Sequence, residues 1–170
     1  RGAWLLQPYS DEPQSSGLET ASVASVTRMA ELGVRHGFQV CVHAIGDRAN
    51  REVLDIYEKV WANRNRGPAL RWRVEHVQHL HPDDIPRFAQ MGVIASMQGV
   101  HCTSDAPYVQ PRLGEQRAEE GAYVWQKLLQ SGAVVTNGTD APVEDVDPLA
   151  SYYASVTRKG KGGVAFYPDQ

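Results

Sequence analysis

The stretch QVCVH at residues 39–43 is apolar and β-branched, as a buried strand should be, and it ends in a histidine. The same pattern returns in WRVEH at residues 72–76 and in VVTNGTD at residues 134–140, which end in a histidine and an aspartate. Helix-like segments separate the three runs. Because a parallel crossover between strands needs room for a helix, this alternation favours a parallel sheet.

The polar residues that end these runs are His43, His76 and Asp140. In parallel α/β folds the groups that do chemistry gather at the carboxyl ends of the strands. Two imidazoles and a carboxylate placed there form a plausible divalent-metal site. Each residue also has a plainer explanation: a histidine satisfied by a backbone carbonyl, or an aspartate in an N-cap or Asx-turn before Pro142. The local pattern leaves both open.

Hydrophobic periodicity and turn residues divide the rest of the chain. Residues 98–121 are expected to be a long loop with some local helix, residues 63–68 a turn, and residues 1–17 a loop after a strand that ends near Leu5 and Leu6. The predicted helices cover 20–36, 49–61, 82–91, 123–131 and 148–159, and the predicted strands cover 38–44, 71–78, 93–97 and 134–138. The predicted fold class is α/β, part of a (β/α) barrel, with an open doubly wound sheet as the lesser option.

Bulk properties indicate one ordinary globular domain over residues 1–170. The hydrophobic fraction of 42% is enough for a sizeable core, and a net charge of −3 without a basic patch gives no support for nucleic-acid binding. No apolar run reaches the roughly 18 residues that a transmembrane helix needs. No phosphate-binding glycine motif is present, so nucleotide binding has no support either. A cytoplasmic location is the default expectation.

Several neighbours of the candidate ligands have possible roles. Gln78 alternates onto the same face as His76 and is expected to contact substrate. His101 lies in the predicted long loop and is expected either to touch substrate or to be a solvated loop histidine. Asp47 follows a glycine turn, where it would cap the next helix or hold the His43 imidazole from behind.

Glu75 is the remaining candidate. It would support the metal ligands from behind, or form an ion pair with Arg73, which alternates with it along the same strand. The ion pair is the favoured interpretation.

Taken together and in order, these motifs resemble the metal-dependent amidohydrolase superfamily. The similarity is to amidohydrolase family 3, the YtcJ-like and N-substituted formamide deformylase-like branch, and it covers nearly the whole chain. The stretches that carry it are LQPYSD at 6–11, HAIGDRA at 43–49, RVEHVQ at 73–78, SMQ at 96–98 with His101 and SD at 104–105, and GTDAPV at 138–143.

The resemblance implies a distorted (β/α)8 barrel and a metal-dependent hydrolase of small molecules. His43 and His76 would match the metal-ligating histidines of the fifth and sixth strands. Asp140 would match the eighth-strand aspartate, which contacts metal and activates the hydrolytic water. The implied reaction is hydrolysis of C–N bonds of the amide or N-formyl type, with a divalent metal as the cofactor, and zinc is the expected ion.

Two motifs of the family pattern have no match in this sequence. The first-strand pair of histidines and the bridging lysine of the fourth strand have no counterpart. The chain is therefore expected to be the carboxy-side part of the barrel, roughly strands five to eight with their helices. Exposed sheet edges would then be covered by a second copy or by the missing half. The alternative is a catalytically incomplete α/β fragment that only folds or self-associates, without bound metal.

Overall fold

In the computed structural model, which describes residues 1–62, 68–160 and 162–170, four parallel strands form a single sheet. The strands are β1 Cys41–Ala44, β2 Arg73–His76, β3 Ile94–Met97 and β4 Val135–Asn137. The helices are α1 Val23–His36, α2 Asp47–Trp61, α3 Ile85–Met91, α4 Gly99–Leu113, α5 Glu115–Gly121, α6 Trp125–Gln130 and α7 Pro148–Thr157, with 3₁₀ turns at Pro68–Leu70 and Pro82–Asp84.

The strands pair in the order β1-β2-β3-β4, which is also their order along the chain. A doubly wound sheet reverses its strand order at a switch point, whereas a (β/α) barrel adds each strand beside the previous one. The observed order therefore confirms an α/β fold of the partial TIM-like barrel type. Because all pairings are parallel, the four carboxyl ends lie at one edge of the sheet.

Local signals correctly placed the ends of most helices. Ser22 caps α1 by accepting a hydrogen bond from the backbone N–H of Ser25, and Gly37 ends the helix in the left-handed region at φ 74°. Gly92 ends α3 in the same way at φ 67°. The predicted helix at 82–91 is a 3₁₀ turn followed by α3.

The expectation of a long loop at 98–121 is wrong, because this segment forms α4 and α5. Pro107 and Pro111 lie inside α4 and each removes one backbone donor, which is why the sequence argued against a helix. Burial outweighs that loss: Cys102, Val109 and Leu113 pack into an apolar cluster with the amino-terminal segment. Tertiary packing decides the structure here.

The expected strand near Leu5 and Leu6 is also wrong. Residues 1–22 run irregularly over the carboxyl edge of the sheet. Isolated hydrogen bonds hold them, such as the one from the Leu5 N–H to the Ser16 carbonyl at 2.7 Å. A Cβ on Gly46 would lie only 2.0 Å from the Trp4 carbonyl oxygen, so the glycine permits this close crossing. Of the predicted turn at 63–68, residues 63–67 lie outside the described part of the chain.

The main core lies between the sheet and its helices. Trp72, just before β2, and Val74 of β2 pack against Tyr57 and Leu54 from α2 and Phe88 from α3, all of them fully buried. The Tyr57 and Trp72 rings meet edge to face with centroids 4.7 Å apart, and the Tyr57 hydroxyl donates to the Arg73 carbonyl at 2.9 Å. This layer fixes the strands that carry the polar ends described below. Within 1–62, 68–160 and 162–170, no helix has the length and apolarity to span a bilayer.

Asp84 joins two helices through a buried carboxylate. Its Oδ2 accepts from Arg51 Nε of α2 at 2.9 Å, and its Oδ1 accepts from Arg87 Nη1 of α3 at 3.0 Å, while the residue is 2% exposed. A buried carboxylate with two charge-assisted partners is costly to neutralise, because an amide in its place keeps only one acceptor oxygen and the hydrogen bond that remains has no anionic partner.

We therefore expect Asp84→Asn to lower the free energy of unfolding by about 2 kcal/mol, in the range seen when a charged hydrogen bond is removed. Urea unfolding followed by circular dichroism measures this. Asp83→Asn is the matched control, because the Asp83 side chain is 82% exposed. Equal effects of the two substitutions would contradict the assignment of Asp84 as the link between α2 and α3.

His79 lies just beyond β2 with an unpaired ring nitrogen. Its Nδ1 is buried with no hydrogen-bond partner among the described residues, and its ring meets Tyr123 edge to face at 5.8 Å. Burial lowers the pKa of His79 to about 4. Protonation therefore favours the unfolded chain, where a histidine has its ordinary pKa of about 6.5.

It follows that the free energy of unfolding should fall as the pH drops from about 6.5 to about 4, with His79 contributing at most roughly 3 kcal/mol of that loss. In His79→Gln this part of the pH dependence should vanish, which urea unfolding at a series of pH values would show. His36→Gln is the control, because His36 is exposed at the end of α1. An unchanged slope in His79→Gln would refute the argument.

Candidate metal centre

The register of β1 on β2 brings two histidines together at the carboxyl edge. His43 lies opposite Glu75 and Ala44 lies opposite His76 in the parallel pairing. The two imidazoles meet edge to face with ring centroids 4.5 Å apart. Pairing brings the two strand ends together, and His76 leaves β2 in the left-handed region at φ 78°, so the histidine pair depends on both features.

Two further polar side chains complete the cluster. His101 comes from the first turn of α4, and Asp140 follows β4. One ligand atom from each of His76, His101 and Asp140 can be chosen so that all three lie within 4.8 Å of one another. Imidazole nitrogen and carboxylate oxygen are common zinc donors. The carboxyl edge of the sheet is therefore where the structure concentrates metal-binding groups.

The hydrogen bond behind His76 decides which of its nitrogens is free. Gln98 Nε2 donates to the Ser96 carbonyl at 3.4 Å, which turns Gln98 Oε1 towards His76 Nδ1 at 2.9 Å. An amide oxygen only accepts, so the His76 proton lies on Nδ1. Nε2 then carries a lone pair available for coordination, the arrangement found at most histidine–metal sites.

His101 differs, because both of its ring nitrogens face carboxylates. Nε2 lies 3.2 Å from Asp140 Oδ2, and Nδ1 lies 3.4 Å from Glu144 Oε1. Ser104 donates to the same Glu144 oxygen at 2.6 Å and so fixes it. The interpretation of His101 as a solvated loop histidine is wrong, since the residue is 8% exposed on α4. A ring that donates to both carboxylates carries a proton on each nitrogen and has no lone pair for a metal, and in that form His101 holds Asp140 in position.

His43 makes no side-chain hydrogen bond among the described residues, so both of its nitrogens remain available. The residue lies on the open face of β1. Burial, followed by the neighbouring His76, lowers the pKa of His43, while Asp140 opposes the shift. The lowered pKa favours the neutral ring, which is the form that binds metal.

Asp140 stands in a tight turn after β4, in the left-handed region at φ 58°. Its carboxylate bonds to His101. Two hydrogen bonds hold the turn in place: Asn137 Oδ1 accepts from the Gly99 N–H at 2.9 Å, and Ser151 Oγ donates to the Gly138 carbonyl at 2.7 Å. The ends of β3 and β4 and the start of α7 are thereby tied together around Asp140.

Gly99 allows α4 to begin this close to α7. A Cβ at Gly99 would lie 2.0 Å from Ser155 Oγ and 2.8 Å from the Ser151 carbonyl oxygen. Such contacts are far inside van der Waals distance, so a larger residue would push the first turn of α4 away. That turn carries His101, and its position therefore depends on this glycine.

The other candidates occupy different positions. Gln78 is 5% exposed, and its Nε2 donates to Asp105 Oδ2 at 3.1 Å and contacts the Tyr123 hydroxyl. Asp47 Oδ1 accepts from the backbone N–H groups of Leu6 and Arg48 at 2.9 and 2.8 Å. Asp47 thus holds the amino-terminal segment against the start of α2.

Glu75 forms the favoured ion pair, since Arg73 Nε donates to its Oε1 at 2.7 Å. Two partners within the cluster were missed by the sequence reasoning. Gln98 directly follows β3, so the rule that selected the other strand ends would have found it. Glu144 had no usable signal, because its contact with His101 spans 43 residues of chain.

Comparison with known proteins supports the resemblance. The profile of the amidohydrolase family matches residues 1–170. The chain is 39% identical over 156 residues to protein LONG AFTER FAR-RED 3 of Arabidopsis thaliana, covering 92% of this chain and 27% of that protein. It is 35% identical over 159 residues to the putative amidohydrolase YtcJ of Bacillus subtilis strain 168, covering 94% and 29%.

Two solved structures share the fold. Both are uncharacterized metal-dependent hydrolases, from Pyrococcus horikoshii OT3 and Pyrococcus furiosus. The TM-scores are 0.84 and 0.81 at 32% and 31% identity, and the matches cover 98% of this chain but 32% and 34% of those chains. The chain thus spans about a third or less of the length of these relatives. The chain belongs to the amidohydrolase family, in the family 3 branch.

Proposed function

We propose that this chain carries the carboxy-side part of the active site of a metal-dependent hydrolase that cleaves C–N bonds of the amide or N-formyl type in small molecules. The observation that carries the proposal is the convergence of imidazole and carboxylate groups at the carboxyl ends of the strands. Family membership and the metal-dependent hydrolases of similar structure support it. A cytoplasmic location remains an expectation.

The donor set fits a divalent ion, zinc being the proposed one. His76 offers Nε2, because Gln98 occupies Nδ1, and His43 offers an unengaged ring. Asp140 supplies the carboxylate. Three protein ligands that leave an open position are typical of catalytic zinc. We propose His43, His76 and Asp140 as the ligands. A His101 ring that donates to both Asp140 and Glu144 has no lone pair left for a metal, although among the described residues it is His101 and not His43 that has a donor atom within 4.8 Å of both His76 and Asp140.

His43, His76 and Asp140 would hold a divalent ion, which would supply Lewis acidity to a substrate carbonyl and to water. Asp140 would take the proton of the attacking water and pass it to the leaving nitrogen, as a general base and then a general acid. His101 donates to Asp140 Oδ2 and so keeps the carboxylate oriented while it carries out both transfers. Gln98 keeps His76 in one tautomer.

The second proposal is that part of the apolar surface of this chain is covered by more polypeptide, either a second copy or the rest of a longer barrel. Leu149, Tyr152 and Val156 follow one another at helical spacing on α7, and they are 75%, 66% and 65% exposed. They flank β4, the last strand of the sheet. If the chain binds no metal alone, this surface favours the alternative of a catalytically incomplete fragment that folds or self-associates.

Metal content of the purified chain tests the proposed ligands. We expect near-stoichiometric zinc or another transition metal by plasma mass spectrometry, with His43→Asn and His76→Asn reducing it to background. Loss is expected because each substitution removes one of three ligands. His101→Asn should retain metal and lose hydrolysis of an N-formyl substrate, because it only positions Asp140.

His36→Asn is the control, since His36 is exposed at the end of α1. Circular dichroism of each variant separates lost coordination from lost folding. Metal retained in His43→Asn but lost in His101→Asn would reverse the two assignments. A folded wild-type chain without metal, even after incubation with zinc, would refute metal binding by this chain alone.

Gln98 provides a subtler test. Gln98→Met removes the acceptor behind His76, and zinc affinity should fall roughly tenfold or more, the usual effect of losing such a partner. Competition with a chelating dye measures the affinity. Gln90→Met makes the same chemical change on the exposed side of α3 and should leave zinc affinity unchanged. If both variants bind zinc as the wild type does, Gln98 has no role in orienting His76.

A further inference from the structure

A cavity of about 450 Å³ lies beside the metal centre. Its lining includes His43, Gln78 and Asp105, together with Trp4, Tyr9 and other apolar side chains of the amino-terminal segment, α1, α2 and α4. A volume of this size suits a small organic molecule. Because His43 lines it, a molecule in the cavity would have one end at the proposed ligands.

Helix α4 forms one wall of this cavity with a regular stripe of side chains. His101, Asp105, Tyr108 and Arg112 follow one another at intervals of four, three and four residues, the spacing of one helical face. The last three line the cavity, while His101 belongs to the metal centre. At a rise of 1.5 Å per residue, the stripe extends roughly 16 Å from His101 to Arg112.

Most charged groups on the cavity wall already have partners. Arg1 pairs with Asp11 at 2.8 Å, and Glu52 pairs with Arg48 at 2.7 Å. Asp105 Oδ2 accepts from the Tyr123 hydroxyl at 2.5 Å and from Gln78.

Glu19, a further acidic group on this wall, accepts from the Val23 backbone N–H at 2.9 Å. Arg112 is the exception: within the described ranges its guanidinium has no carboxylate within 4 Å and makes no side-chain hydrogen bond.

The Arg112 guanidinium is nevertheless held in place. It lies over the Tyr108 ring, with its central carbon 5.0 Å from the ring centroid. Stacking on an aromatic face orients the planar group and leaves its N–H donors directed away from the ring. A guanidinium that lies over an aromatic ring on a cavity wall, with no ion pair or side-chain hydrogen bond to the described residues, is suited to bind a carboxylate through two parallel hydrogen bonds.

We propose that Arg112 determines specificity by binding the carboxylate of an elongated ligand, whose apolar body lies along α4 and whose amide end lies beside Asp105 and His43. The order of charges sets the orientation, because Asp105 repels a carboxylate and accepts an N–H. The proposal rests on the proposed function for the reaction at the amide end, and it names the substrate class as N-acyl compounds with a distal carboxylate. Binding itself does not require metal.

The test compares two probes that differ in one charge, N-formyl-ε-aminocaproate and its primary amide. Titration calorimetry on the metal-free 170-residue chain should show the acid binding roughly tenfold more tightly than the amide, a moderate effect for one charge-assisted contact. Arg112→Gln should remove this preference and leave the affinity for the amide unchanged. Arg28→Gln removes the same charge from an exposed site on α1 and should keep the preference.

Equal affinities of the acid and the amide for the wild-type chain would overturn the proposal, as would binding of neither probe at any soluble concentration. If Arg112→Gln has a native circular dichroism spectrum and still prefers the acid to the amide, Arg112 does not bind the carboxylate and the proposal is wrong. Because these titrations use no metal and no turnover, their failure is separate from a failure of metal uptake or hydrolysis. Arg112→Lys keeps the charge without the planar fork and should retain only part of the preference.

Discussion

Parallel pairing of the four strands in chain order is the constraint on which the rest of the structure depends. It places all four carboxyl ends at one edge, where β1 pairs with β2 and His76 leaves β2 in the left-handed region, so that the His43 and His76 rings lie side by side. The residues that follow β3 and β4 reach the same edge for the same reason. A slip of one residue would turn every side chain of a strand to the other face, so the buried apolar layer on one face of the sheet also fixes which polar side chains reach the carboxyl edge.

Hydrogen-bond partners give chemically identical residues different roles at this edge. Gln98 occupies one nitrogen of His76 and leaves the other free, whereas Asp140 and Glu144 occupy both nitrogens of His101. Proximity alone would place His101 among the ligands, since its nitrogen lies close to the other donors. Counting the lone pairs that remain leads to the opposite assignment, and the unengaged ring of His43 fits the ligand role better.

The sequence predicted what short-range rules control, and failed where distant contacts decide. Strand ends and glycine caps such as Gly37 and Gly92 follow from periodicity and backbone preference, and the structure has them as expected. The helix at 99–113 does not follow from such rules. Pro107 argues locally against a helix, and the burial of Leu113 under the amino-terminal segment is a distant contact that the local sequence does not show. The contact of Glu144 with His101 was inaccessible for the same reason.

The segment that was hardest to predict is also the one that joins the two parts of the site. The first turn of α4 holds His101 against Asp140, and its fourth turn presents Arg112 to the cavity. Because both side chains belong to one helix, their separation is set by the helical rise and not by loop geometry. Burial of the apolar side of α4 overcomes its two prolines, and the same burial keeps this spacing fixed. A rigid spacing between the proposed metal ligands and Arg112 would select ligands by length as well as by charge.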